Sequence, residues 1–137
     1  AINTAAVRNP PLIQEAARRF GSSTIVVSIE AIRQPDGRYE AYTDNGREST
    51  GVNALEWAIQ AADLGAGELI VTSIDREGTG KGFDLELTRR IAESVPIPVI
   101  ACGGAGGADA CEVAGVDQGH GDQVEHIHGK GDEDQRV

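Results

Sequence analysis

Thr72-Ser73-Ile74-Asp75-Arg76-Glu77-Gly78-Thr79-Gly80-Lys81-Gly82-Phe83-Asp84 follows directly on the apolar run Leu69-Ile70-Val71. An apolar run that opens into a polar, glycine-rich turn and then into a helical pattern, here from Asp84 to Glu93, reads as strand, loop and helix. In βα architectures the C-terminal end of such a strand is where binding groups and chemistry collect. A second unit of this kind follows at Val99-Ile100-Ala101-Cys102-Gly103-Gly104-Ala105-Gly106. Two such units in succession point to a phosphate-handling (βα)n enzyme or a piece of one.

The same rhythm extends upstream. Residues 24–30 are almost continuously β-branched or apolar, the pattern of a parallel strand buried on both faces. Residues 1–5 read as the end of a strand. Asn9-Pro10-Pro11 opens a helix, with Asn9 placed to cap it and Pro10 suited to the first turn. Leu12, Ile13, Ala16, Ala17 and Phe20 form its apolar stripe, and Gly21 stops it. A helix is expected over residues 52–64, with Leu55, Ala58, Ile59 and Ala62 on one face and Gly65 or Gly67 at its end. Gln34-Pro35-Asp36-Gly37 and Asp44-Asn45-Gly46 are turn signals, so residues 38–43 and 47–50 form a small hairpin. Strands alternating with helices predict a parallel α/β sheet or barrel.

Composition narrows the function classes. The chain has 137 residues, and a formal net charge of -10 argues against nucleic acid and anionic membrane as partners. It is compatible with small phosphorylated ligands, which backbone N–H groups grip without bulk positive charge. Phe, Trp and Tyr make up only 4%, so small aliphatic side chains must fill the core. No run approaches 18 apolar residues and no signal pattern opens the sequence, so a cytoplasmic location is expected. Cys102 and Cys111 form no disulfide framework. Residues 107–137 are acidic and Gly-rich, without helical or strand period, and are expected to be poorly ordered. His120, His126 and His128, interleaved with Asp122 and Glu125, are ligand types for a transition metal. A solvated polar tail explains them better, so no metal and no cofactor is expected.

The candidate site residues each carry two readings. Asp75 and Glu77 either transfer protons and orient a phosphate through water, or cap the turn and the following helix. Glu30, closing an apolar strand, is either a desolvated general acid with a raised pKa or a solvated acid paired with Arg33. Gly103-Gly104-Ala105-Gly106 and Gly78-Thr79-Gly80 can each expose N–H groups to a phosphate. Trp57 reads as packing.

Several of these motifs in this order resemble one family. Ile2-Asn3-Thr4-Ala5-Ala6-Val7, Val26-Val27-Ser28-Ile29-Glu30, Gly65-Ala66-Gly67-Glu68, Thr72 to Thr79, and Ala101 to Gly106 look like the C-terminal half of the cyclase subunits of imidazole glycerol phosphate synthase. The resemblance covers residues 1–106. It implies a partial (βα)8, TIM-type barrel: about half a barrel of parallel strands with helices outside. It implies a histidine-biosynthesis cyclase that takes a phosphoribulosyl-formimino aminoimidazole carboxamide nucleotide and ammonia from a glutaminase partner. The sister phosphoribosyl-formimino isomerases are a weaker match. They usually carry Asp before the acid pair and Pro-Asn where Phe83-Asp84 stand, whereas this chain has Ser73 and Phe83-Asp84.

By this resemblance Glu30 stands at a catalytic position where Asp is usual, its carboxyl about 1.5 Å further from the backbone. Ile32 replaces a usual Lys, and Glu77 a usual Asp. Asn3, Thr4, Thr72, Ser73, Asp75 and Glu77 match substrate positions, and Gly78, Gly103 and Gly104 match phosphate-loop positions. Glu68 matches a charged residue at the ammonia entrance. The family's first-strand acid has no counterpart in this sequence. Residues 107–110 resemble the lead-in to a final strand, or else the sequence after Gly106 is unrelated. A half-barrel exposes sheet edges and an apolar inner face, so a homo-oligomer or a complementary half is expected, either as an enzyme or as a non-catalytic scaffold.

Overall fold

The computed structural model describes residues 1–104 and the backbone of 112–114. Six strands form one sheet: β1 (Val26–Arg33), β2 (Tyr39–Thr43), β3 (Glu48–Asn53), β4 (Glu68–Ser73), β5 (Val99–Cys102) and β6 (Glu112–Ala114). Their order is β3-β2-β1-β4-β5-β6. β1, β4 and β5 run parallel to one another, while β2, β3 and β6 pair antiparallel. Among the described residues the sheet is accompanied by the α-helices α1 (Thr4–Arg8), α2 (Pro11–Phe20), α3 (Ala54–Leu64) and α4 (Leu85–Ser94). The result is an α/β partial TIM-type barrel whose sheet does not close.

Alternation along the parallel strands sets the layers. Val27, Ile29 and Ala31 of β1, Leu69 and Val71 of β4, and Val99 and Ala101 of β5 are buried in the core with Ile13, Trp57, Ala58, Leu87 and Ile91 of the helices. Val26, Ser28, Glu30, Glu68, Ile70, Thr72, Ile100 and Cys102 lie on the opposite, inner face and are only half-buried. The expectation that β1 is buried on both faces is therefore corrected: a sheet that does not close has no strands facing this side. β1 also runs past Glu30 to Arg33, because its C-terminal half gains β2 as an antiparallel neighbour, with Glu30 opposite Tyr42 and Ala31 opposite Ala41. Lower on that same edge Ile2 bridges Val27 in parallel. Residues 1–5 thus contribute one bridged residue rather than a strand end, since α1 begins at Thr4.

Helix ends and faces show where local reading and packing diverge. Asn9 closes α1 instead of capping α2, and Pro10 occupies the cap of α2 without a side-chain bond. Phe20 is 65% exposed, beneath the Arg19 guanidinium at 5.9 Å, and does not join the α2 stripe. In α3 the buried residues are Ala54, Trp57, Ala58 and Ala61, and Ile59 is 41% exposed. Trp57, at 2% exposure, is the bulk that turns this face inward. α3 starts two residues later than expected because the Asn53 carboxamide accepts from the N–H groups of Leu55 (2.9 Å) and Glu56 (3.3 Å). Asn53→Ala removes both bonds and is expected to cost about 1 kcal/mol in a urea melt. An unchanged midpoint would mean that water replaces the cap at no cost.

β4, β5 and the hairpin turn follow the expectation. Asp44, Asn45 and Gly46 all take positive φ between β2 and β3. Residues 112–114 form β6 on the edge of β5, and the remainder of 107–137 lies outside the described residues. His120, His126 and His128 lie outside the described residues. Among the described residues no helix is long and apolar enough to cross a membrane.

Candidate functional site

Register, rather than chain position, assembles the chemistry-bearing side chains. Tyr42 pairs with Glu30, Glu30 with Thr72, and Thr72 with Cys102. Directly paired residues place their Cβ atoms about 5 Å apart on one face. A phenol, a carboxylate, a hydroxyl and a thiol therefore cross the inner face in a single row near the C-terminal ends of the parallel strands. Glu30 Oε2 is buried and has no hydrogen-bond partner. Arg33, its alternative partner from sequence, turns instead to Glu86 at 3.6 Å. Ile2 shares Val27's face through the bridge, so Asn3 falls by alternation on the inner side, and its Oδ1 is likewise buried without a partner. Two acceptors without donors on one face suit a ligand that brings N–H or O–H groups.

Other candidates stand apart from this row. Ser73 points to the helix side, 2% exposed, with an unpartnered Oγ. Alternation after Thr72 dictates that direction. Thr4 Oγ1 accepts from the Asp44 N–H at 3.2 Å and so ties α1 to the hairpin turn. Glu68 lies on the inner face at the opposite, N-terminal end of β4, paired with Val26.

The turns beyond β4 and β5 are stitched together. The Asp75 carboxylate accepts the Arg33 N–H at 2.8 Å, which fixes the start of the first turn to the end of β1. Glu77 is exposed, and its N–H bonds back to the Ser73 and Ile74 carbonyls. Gly82 N–H donates to the Gly104 carbonyl at 2.6 Å. At Gly103, φ is +86° and an added Cβ would lie 2.6 Å from the Ser73 carbonyl oxygen. Only glycine lets the β5 turn settle this closely over β4. Gly78 also has positive φ, in open space.

Sequence reading passed over three residues here. Tyr42 enters the row only through pairing with β1. Arg76 is half-buried with its Cβ against Gly104, and among the described residues it forms no ion pair. Its signal was a lone cation between two acids in a glycine-rich loop. Tyr39, buried at the start of β2, donates to the Asp84 carboxylate at 3.0 and 3.2 Å. Burial first, and the Asp84 carboxylate second, push its hydroxyl up to about 12, so it remains a donor at neutral pH. A concavity of about 360 Å³ is lined by Gln34, Asp36, Arg38, Tyr39, Glu40 and Asn53 among others, and contains none of the site residues expected from sequence.

The comparisons with known proteins agree with this architecture. The family described as histidine biosynthesis protein matches residues 1–124. The chain is 58% identical over 106 residues to the imidazole glycerol phosphate synthase subunit HisF of Legionella pneumophila, covering 77% of this chain and 50% of that protein. It is 54% identical over 105 residues to the subunit of the same name from Alkaliphilus metalliredigens, covering 77% of this chain and 42% of that protein. The chain thus spans about half the length of the curated relatives it matches.

Proposed function

The chain belongs to the histidine biosynthesis protein family, and on that premise we propose that it supplies the C-terminal half-barrel of an imidazole glycerol phosphate synthase cyclase. The observation that carries this reading is Glu30: a carboxylate oxygen buried on the inner face, without a partner, in register with Thr72. In the proposed reaction a phosphoribulosyl-formimino aminoimidazole carboxamide nucleotide condenses with ammonia. The products are imidazole glycerol phosphate, aminoimidazole carboxamide ribonucleotide and the water released on condensation. Glu30 moves protons at the reacting centre. Asn3 and Thr72 orient the substrate. The N–H groups of Gly78, Gly103 and Gly104 hold a phosphate, with Arg76 as nearby positive charge. Asp75 and Glu77 shape the mouth of the site. Glu68, at the far end of β4, faces the side from which a glutaminase partner delivers ammonia.

By the family resemblance the second acid stands on a first strand, and in the proposed assembly the half that faces this sheet supplies it. The test is turnover of the nucleotide with ammonium salt, in the presence of the complementary half-barrel. Formation of both products is expected. No product, from an assembly shown by scattering to be closed and by titration to bind the substrate, overturns the catalytic reading.

A second reading rests on the half-buried inner face, where Val26, Ile70 and Ile100 stand on neighbouring strands. It makes the chain a self-associating scaffold that binds phosphate without turnover. Size exclusion with light scattering, with and without a phosphate-bearing substrate analogue, is expected to give a discrete oligomer that binds the analogue. A monomer that neither associates nor binds sinks both readings for the isolated chain.

A further inference from the structure

Tyr39 lies outside the strand row and the glycine turns, yet it controls where one of those turns ends. Its ring is buried, 1% exposed, at the pairing of β2 with Arg33 of β1. Its hydroxyl reaches 45 residues along the chain to the Asp84 carboxylate. Asp84 is also the cap of α4: its Oδ1 accepts the Leu87 N–H at 3.1 Å, and its carbonyl accepts the Thr88 hydroxyl at 3.0 Å. The guanidinium groups of Arg33 and Arg90 face the Tyr39 ring at 6.0 and 5.9 Å, and both arginines pair with Glu86 on α4. The hairpin is thereby fastened to the first turn of α4.

Between β4 and α4 the loop has little packing of its own. Gly78, Gly80 and Gly82 all take positive φ, and an added Cβ at any of them would meet nothing within 4 Å. It is tied to other elements at Asp75 to Arg33, at Gly82 to Gly104 and at Asp84 to Tyr39, and within itself by Thr79, whose hydroxyl donates to the Arg76 carbonyl and accepts the Lys81 N–H. A short loop without side-chain packing takes its geometry from such ties, and a charge-assisted bond is the stronger kind.

We infer that Tyr39 is a positioning residue, which holds the 78–82 loop in its phosphate-gripping place through Asp84. The inference rests on the reading of that loop as a phosphate grip. Its position in the hairpin makes the hairpin a working part of the site rather than an appended turn.

Tyr39→Phe keeps the ring, its packing and both cation contacts, and deletes only the bond to Asp84. Two measurements decide the matter: amide hydrogen exchange over residues 78–84, and calorimetric titration with inorganic phosphate. Tyr39→Phe is expected to speed exchange in that loop by about tenfold or more and to weaken phosphate binding by about tenfold or more, the loss of one hydrogen bond to a charged group. Exchange in β1, β4 and α3 is expected to stay unchanged. Asp84→Asn, which keeps an acceptor and a good helix cap, is expected to fall between Tyr39→Phe and the unaltered chain. Unchanged loop exchange in Tyr39→Phe overturns the inference, whatever happens to phosphate. Faster exchange with unchanged phosphate affinity overturns it as well, by reducing the bond to a fold contact. If the unaltered chain binds no phosphate, the loop reading itself fails, and the exchange data still report separately whether Tyr39 holds the loop.

Discussion

Glu30→Gln is expected to lower kcat by about 10²–10⁴-fold in the closed assembly, the usual contribution of a positioned general acid or base. KM should change little, because the amide keeps the shape and polarity of the side chain. The fold should not suffer. Glu30 Oε2 is buried with no partner, so the substitution breaks no hydrogen bond at that atom. The thermal midpoint is therefore expected to stay level. Turnover unaffected by Glu30→Gln would remove Glu30 from the chemistry. Glu30→Asp separates placement from charge: it draws the carboxyl back by about 1.5 Å. Since a shift of about 1 Å can alter a rate on the order of 100-fold, Glu30→Asp is expected to keep turnover or raise it toward that limit.

Gly104→Ala is expected to destabilise the chain by about 3 kcal/mol. Two effects combine. Gly104 has φ +95°, which costs an L side chain about 1–3 kcal/mol. An added Cβ would also overlap the Gly82 carbonyl oxygen and lie 2.9 Å from the Gly82 carbonyl carbon and from Arg76 Cβ. Overpacking against backbone costs about 1–3 kcal/mol, because a carbonyl cannot rotate aside as a flexible side-chain end can. The Gly82–Gly104 hydrogen bond must stretch or break. A loss of this size is a large part of the stability of a domain of this length. Chemical denaturation checks it, and a shift below about 1 kcal/mol would mean that the two turns separate freely. Phosphate binding should weaken with it, since both turns supply N–H groups in the proposed grip.

What could be read without coordinates follows from how local each signal is. β4 and β5 were legible to the residue because each apolar run begins after Gly67 or Pro98 and gives way to a polar or glycine-bearing turn. The end of β1 was not, because Glu30 looks like a polar stop. It is an inner-face position within a strand that continues as Ala31, Ile32 and Arg33, held there by β2. On α3, Leu55, Ala58 and Ala62 meet the core as expected but Ile59 does not, because Trp57 with the alanines around it turns the face away from Ile59. Within the site, Glu30, Thr72 and the glycine turns announce themselves through motif order. Tyr42 beside Glu30 and Tyr39 beneath Asp84 do not, because the first depends on the exact register of the β1–β2 hairpin and the second on a contact 45 residues along the chain.

The pairing of β6 with β5 has a kinetic consequence. Residues 112–114 already occupy the edge of β5 that a further parallel strand would use. Whatever docks there has to exchange with them, pair by pair. Association at that edge is then a strand replacement gated by local opening, and its rate levels off as partner concentration rises. The opposite side of β1 is open to no such exchange low on the strand, where Ile2 is tied by two backbone bonds of 2.9 Å. The outer side of β5 and the lower side of β1 are thus unequal doors: one is latched by a short strand that a partner must displace, the other is shut by the chain that leads directly into the first helix.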